Sequence, residues 1–409
     1  VVVDGSITIP MMKKCGYKPE VAAAVEASAS NGGQIMPPVM GTAAFLMADM
    51  LGIPYWGVVT AAFLPAIFYY IALYFMLDFE AAKTGLKGLP RVQIPPIWRT
   101  LKEGGQFLLP LAVLLYFIGI LGWSAQKSGL FALLALVAVS YIRKETRPSF
   151  RQLLGALESG AHNTAQLGPA AGAIGILMSA VTLTGLGVTL ASGLLTAAGG
   201  SMILLLILTA VAALIMGMAA STLLVYVILA MFVVPGLVKA GVMPLAAHMF
   251  VFYFGMMSMV TPPVGLAAYA AAAVGGADYW KTGWHAARLS IVGFIVPFLF
   301  VYHPALLFRG PWQEIALAAI SGTIGTFALA AAIVGYLFAD ARWWERILLG
   351  GGALLLMTPG WETDLIGLAM IALPLLFQTR VFLARRAKDK KTLSTASAGA
   401  SEPPGEPLP

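Results

Sequence analysis

Apolar residues in this chain come in blocks of about twenty, the length a helix needs to cross a hydrocarbon core roughly 30 Å thick. Such blocks fall at 54–77, 104–126, 129–142 (short), 289–308, 315–339 and 347–377, the last with an interruption. Between 159 and 238 no Asp, Glu, Lys or Arg occurs, which leaves room for about three or four further passes. A second uncharged run follows Lys239 and ends at Ala277. The pattern predicts an all-α polytopic membrane protein.

Composition agrees. Of 409 residues 59% are hydrophobic and 11% charged, against about a quarter charged in an ordinary soluble domain. Too few polar side chains exist to cover a soluble globule, which excludes a soluble enzyme, a disordered chain and a nucleic-acid binder. The single Cys15 excludes a disulfide scaffold, and His162, His248, His285 and His303 stand singly, without HExxH spacing. The few charges orient the chain. Segment 78–103 holds Lys83, Lys87, Arg91, Arg99 and Lys102, and 143–151 holds Arg143, Lys144, Arg147 and Arg151. The turn between them, 124–128, has only Lys127. Basic loops face the cytoplasm, so that turn lies outside, and the basic cluster after Phe377 lies inside. The low-complexity stretch from Thr392 onward is expected to be disordered. Because it opens on Val1 in mid-motif, the sequence reads as the C-terminal portion of a longer protein.

Self-similarity is the strongest internal signal. Residues 10–39 and 235–264 align without gaps: Pro10 with Pro235, Lys14 with Lys239, Gly16 with Gly241, Pro19 with Pro244, and Pro37-Pro38-Val39 with Pro262-Pro263-Val264. One residue is then lost, and Gly52, Tyr55 and Trp56 match Gly276, Tyr279 and Trp280. Each copy has an apolar arm, a polar Gly-containing break, Pro-Pro and a second short arm. An arm of about 14 residues reaches only about 20 Å, too short to cross alone. Each copy is therefore expected to be a re-entrant helical hairpin, at about 17–48 and 244–274. The two should enter from opposite faces with their tips in one cavity, since exposed backbone at that depth needs a polar surrounding.

The tips are SASNGGQIMPP (28–38) and GMMSMVTPP (255–263), with Ser28, Ser30, Asn31 and Gln34 in the first and Ser258 and Thr261 in the second. A third break, GMAAST at 217–222, reads as an unwound helix feeding the same cavity. Neutral oxygens at these breaks suit a hard monovalent cation, and free N–H groups at helix starts suit a carboxylate. Glu26 has two readings: an intramembrane carboxylate that carries a coupling proton, or a solvated group at the cytoplasmic interface.

The stretches 29–44 (ASNGGQIMPPVMGTAA), 156–187 (ALESGAHNTAQLG…VTLTGLG) and 259–268 (MVTPPVGLAA) resemble the large permease of TRAP transporters, most of all the fused permeases of the TAXI subfamily. The resemblance covers roughly 1–308. It implies an elevator-type secondary transporter, with inverted repeats, in the bacterial inner membrane. It further implies an extracytoplasmic solute-binding protein as partner, an organic acid such as a small carboxylate as substrate, Na⁺ coupling, and a small-permease part fused upstream. No enzymatic activity and no resident cofactor are implied. The family's tip residues fall on Ser30, Asn31, Gly32, Gly33 and Thr261, and its broken-helix motif on 217–222, where GMAASTL departs from the usual GMGLPTT.

The site candidates are thus Ser30, Asn31, Gly32, Gly33, Gln34, Gly217, Ser221, Thr222, Ser258 and Thr261. Na⁺ is expected on Asn31, Gly33, Ser221, Thr222 and Thr261, with proton coupling through Glu26 as the alternative. A membrane-embedded protease lacks its catalytic pairs here. A channel remains the third class, though paired breaks fit alternating access better than a symmetric pore. Residues 309–379 form an extra C-terminal membrane segment, and 380–409 a basic, then disordered, cytoplasmic tail.

Overall fold

The computed structural model describes residues 1–86, 88, 96–165, 172, 175, 176, 179, 180, 183–218, 220–358 and 360–399. Its described helices are α1 Val2–Lys14, α2 Pro19–Gly32, α3 Thr42–Leu51, α4 Tyr55–Thr84, α5 Ile97–Gly104, α6 Leu108–Leu115 and α7 Ala125–Ser140. They continue with α8 Phe150–Ala165, α9 Leu186–Ala197, α10 Met202–Gly217, α11 Thr222–Phe232, α12 Val234–Lys239, α13 Pro244–Met257 and α14 Leu266–Gly275. The last are α15 Tyr279–Leu289, α16 Ile291–Tyr302, α17 Trp312–Val334, α18 Trp343–Met357 and α19 Trp361–Gly399. Five helical stretches among the described residues are long and apolar enough to cross a membrane: Tyr55–Thr84, Ile97–Ile120, Tyr279–Tyr302, Trp312–Val334 and Trp361–Arg380. The protein is an all-helical membrane protein.

The chain forms two compact units, Val1–Leu73 with Lys87–Ile315, and Tyr74–Leu86 with Ala316–Pro409. In the second unit, α18 and α19 approach closely because Gly352 and Gly367 present bare backbone to each other. A Cβ on either would lie within 3 Å of the other's carbonyl oxygen. Gln378 binds the Glu345 carboxylate at 2.8 Å and accepts from the Phe338 and Ala339 amides, closing a polar cluster in the apolar core. Contrary to expectation, the tail is helical as far as Gly399. Up to Lys391 its Ala, Lys, Arg and Leu are strong helix formers, and Pro comes only at 403. Residues 400–409 lie outside the described residues, as do Lys87 and Arg91 of the basic loop.

In the first unit the repeat is built as two matching elements. Pro19 and Pro244 open α2 and α13, each at the first helical position, where a missing N–H costs nothing. Gly52 and Gly276 end α3 and α14 in left-handed conformation, with φ of 63° and 60°. Tyr55 donates its hydroxyl to the carbonyls of Pro38 and Val39, and Tyr279 does the same to Pro263 and Val264. Each Pro-Pro turn is thereby hung on the second helix after it, α4 or α15.

The two copies are not hairpins, however. No close packing joins α2 to α3, or α13 to α14. Instead α2 lies along α14, with the beginning of one beside the end of the other. Lys13 Nζ donates to the Gly275 carbonyl at 3.0 Å, and a Cβ on Gly275 would meet Ala23 Cβ at 3.4 Å and the Pro19 carbonyl at 3.8 Å. Hairpins entering from opposite faces would set these residues on opposite sides. The α2–break–α3 and α13–break–α14 units are therefore two interrupted helices running in opposite directions. The physical reason lies in their summed length: 14 and 10 residues give about 21 and 15 Å, and the two arms in series suffice to span.

The chain does reverse at the third break. Both α10 and α11 pack along α13 and against each other, so the two form a helical hairpin. The expected unwound helix at 217–222 and the expected hairpin at 244–274 have exchanged roles.

This arrangement predicts a specific cross-link. In a Cys15→Ser background, Ala23→Cys with Gly275→Cys should form an intramolecular disulfide in oxidant, because their Cβ atoms sit near the separation of about 3.5–4.5 Å that the bond requires. A shift in gel mobility, reversed by reductant, would report it. Cysteines that stay free and labelled at opposite membrane faces would restore the hairpin reading.

Candidate functional site

The two interruptions meet where α2 and α13 end. Asn31, 4% exposed, donates Nδ2 to the Met256 carbonyl at 3.0 Å, and its Oδ1 accepts from Gln34 Nε2 at 3.1 Å. Met256 is the repeat mate of Asn31, so this bond lies on the local two-fold relation between the copies. It pins the ends of two antiparallel half-helices together.

Other groups close the remaining backbone. Tyr69 donates to the Ser28 carbonyl at 2.8 Å and shares a hydrogen bond with Ser290 Oγ at 3.0 Å, while Tyr70 donates to the Ala29 carbonyl at 2.9 Å. Ser28 Oγ reaches across to the Ala286 carbonyl at 3.2 Å. Sequence reasoning missed Tyr69, Tyr70 and Ser290. The available signal was two adjacent tyrosines inside an apolar span, whose hydroxyls need a buried partner. Gly32 is required by this packing: a Cβ there would stand 2.5 Å from the Tyr69 ring and 3.0 Å from the Tyr70 hydroxyl. Gly33, by contrast, is exposed.

On the second break, Ser258 Oγ donates to the Gly255 carbonyl at 2.7 Å and Thr261 Oγ1 to the Met257 carbonyl at 2.6 Å. Each hydroxyl spends its single proton on its own helix, leaving oxygen lone pairs as acceptors. The hairpin tip docks here as well. A Cβ on Gly217 would fall 2.0 Å from Ser258 Oγ, and Gly255 faces Val225 and the Thr222 carbonyl. Thr222 is buried, whereas Ser221 is exposed and caps α11 by accepting from the Leu224 amide. Ala219 lies outside the described residues. The structure thus gathers Asn31, Gly32, Gln34, Gly217, Thr222, Ser258 and Thr261 around one junction. Among the described residues the Ser221 hydroxyl bonds only to the Leu224 amide, and a Cβ on Gly33 would meet only the Ser30 carbonyl.

Ser30 turns elsewhere, donating to Glu26 Oε1 at 2.8 Å. Glu26 is 6% exposed, which removes the reading of it as a solvated interfacial group. Its other oxygen accepts from Thr8 Oγ1 at 2.5 Å, and Gly5 leaves room for its stem. His248 is bonded to Tyr226 at 2.8 Å through Nδ1, as a structural histidine would be.

Electrostatically the junction has two signs. The C-termini of α2 and α13 bring two negative dipole ends together, and α3 and α14 start just beyond the breaks with positive ends. Such a centre can hold a cation on oxygens and an anion on amide N–H groups.

A domain of unknown function, DUF3394, matches residues 315–400. No curated protein matches the chain. The model for the DctM component of the tripartite ATP-independent periplasmic transporters matches residues 1–312. With three quarters of its length covered by that model, the chain belongs to that family of transporter permeases and is not an enzyme.

Proposed function

We propose that this chain is the permease of an ion-coupled importer that takes up an organic acid, in the manner of TAXI-type TRAP systems. An extracytoplasmic solute-binding protein delivers the substrate, and an elevator movement carries it across. The observation that supports this best is the pair of opposed interruptions pinned at Asn31 and Met256. Helix C-termini and lone-pair oxygens there suit Na⁺, and the starts of α3 and α14 suit a carboxylate. Orientation follows from charge. α4 runs from Tyr55 toward the basic segment 78–103, so its Tyr55 end is outside, with the end of α3. The α1–α2 connection, with Lys13, Lys14 and Lys18, then faces the cytoplasm, as the rule requires.

A second reading has its own observation. Glu26 is a buried carboxylate whose only side-chain partners among the described residues are two hydroxyls. Such a group in a membrane protein is a candidate proton carrier. The two readings part in experiment. If sodium drives uptake, Glu26→Gln leaves it largely intact in proteoliposomes of the full system. Uptake that ignores sodium, follows an imposed pH gradient and vanishes in Glu26→Gln would assign the coupling to Glu26.

Under the sodium reading, Asn31→Ala should raise the half-saturating Na⁺ concentration roughly 10- to 100-fold, the cost of about 1.5–3 kcal/mol for a lost bond to a charged group. Thr261→Val should act in the same direction without disturbing the Asn31–Met256 bond. Unchanged sodium dependence in both variants would remove the junction as the ion site. Uptake should also require the binding protein, and efficient transport in its absence would contradict the tripartite reading.

A further inference from the structure

Outside the junction, the first unit contains an aromatic pocket of about 310 Å³. One wall comes from the end of α3 and the start of α4, with Phe45, Asp49, Tyr55 and Trp56; the other is the elbow before α7, with Trp123 and Gln126. Phe45 and Tyr55 are stacked at 4.3 Å between ring centroids, and Trp56 is wedged against Gly119. The Tyr55 hydroxyl, already bound to the Pro38 and Val39 carbonyls, ties this wall to the first interruption.

Three features give the pocket one sign. Among the described residues no Lys or Arg lines it, and the cation at its edge is Lys127, over the ring of Trp123. Asp49 is exposed, and no cation pairs with it among the described residues. It also sits in the last turn of α3, where the helix dipole already presents its negative end. A carboxylate there is unfavourable until a cation arrives. Aromatic faces beside it add the quadrupole attraction that favours guanidinium or ammonium groups. The rings of this region already take a cation, since Lys127 Nζ stands 4.2 Å over Trp123.

Location selects the source of that cation. Tyr55 opens α4 at the end remote from the basic segment 78–103, and the 121–124 elbow separates that segment from the basic 143–151. Both walls are therefore extracytoplasmic. That is the face on which a solute-binding protein must sit. An anionic substrate would be repelled by Asp49, whereas the end of one long basic side chain fits both the volume and the charge. Arginine seated among Trp and Tyr is the commonest kind of interface anchor.

We propose that this pocket seats a basic side chain, arginine or lysine, presented by the extracytoplasmic solute-binding protein. The proposal rests on the binding-protein-dependent reading given above. Because Tyr55 links the pocket wall to the first interruption, the partner's cation would engage the permease one hydrogen bond away from the transport junction.

Uptake by the full system in proteoliposomes, titrated with its binding protein, tests this. Asp49→Asn should raise the half-maximal binding-protein concentration roughly tenfold, leave the maximal rate unchanged and flatten its dependence on ionic strength. Asp49→Lys should raise it further, and Trp56→Leu should act in the same direction. A photocrosslinker at Gln126 should capture the binding protein beside a Lys or Arg whose reversal to Glu rescues Asp49→Lys. Wild-type half-saturation in both Asp49 variants would overturn the proposal. So would a fall in maximal rate alone, or Asp49-dependent binding of choline or putrescine with no change in half-saturation. Uptake by the unaltered permease without any binding protein would instead strike the underlying reading, which keeps the two failures distinct.

Discussion

A backbone amide or carbonyl left without a partner in hydrocarbon costs several kcal/mol, and this fold interrupts two helices at that depth. Everything around the junction follows from that constraint. Asn31 closes onto Met256, Tyr69 and Tyr70 take the Ser28 and Ala29 carbonyls, and Ser258 and Thr261 cover the end of α13. Neither interruption could stand alone. At the first interruption the donors come from Tyr69 and Tyr70 of α4, and at the second from its own Ser258 and Thr261 together with Asn31 of the other copy. The hairpin tip adds Gly217, where a single methyl group would collide with Ser258.

Much of this was legible in the sequence, because Pro, Gly and Tyr mark geometry that few other residues satisfy. The offset of about 225 residues, the Pro-Pro turns and the paired Tyr55 and Tyr279 all correspond to matched structure. The direction of the arms was not legible. Comparing each short arm with the bilayer separately suggested hairpins, whereas the arms cross in series. Which of two antiparallel or collinear arrangements two short helices adopt is decided by side-to-side packing. Ala-rich α2 and α14 fit each other better than α2 fits α3. That is a property of distant surfaces and leaves no local mark.

The site was legible in part for a related reason. Small polar residues at a break signal that backbone is exposed, and the candidates Asn31, Gly32, Ser258 and Thr261 do converge. Ser30 and Glu26 pair with each other on the α1 side, and Ser221 serves as a cap. Residue type alone does not tell a hydroxyl that caps a helix from one that faces a cavity, because both satisfy the same donor. Tyr69, Tyr70 and Ser290 lay 31 residues or more downstream of Pro38, the end of the first break, and belonged to spans whose apolar character masked them.

Inverted copies of one element would give two equivalent states, one facing each side, if their sequences were identical. They are not. Across the repeat, Glu26 stands opposite Val251, Ser28 opposite Tyr253, Ala23 opposite His248, and Asn31 opposite Met256. The residues common to both copies are chiefly Pro, Gly and the turn-holding tyrosines, with Lys14 and Lys239, while the buried carboxylate, amide and histidine of Glu26, Asn31 and His248 each occur in one copy alone. The copies thus share their architecture and divide their chemistry. Under the transport reading proposed above, these unlike pairs are where the two halves can bind a ligand or proton differently, and an equilibrium shifts only where its two states bind differently. The buried carboxylate of Glu26, which stands opposite Val251 across the repeat, is one such inequality.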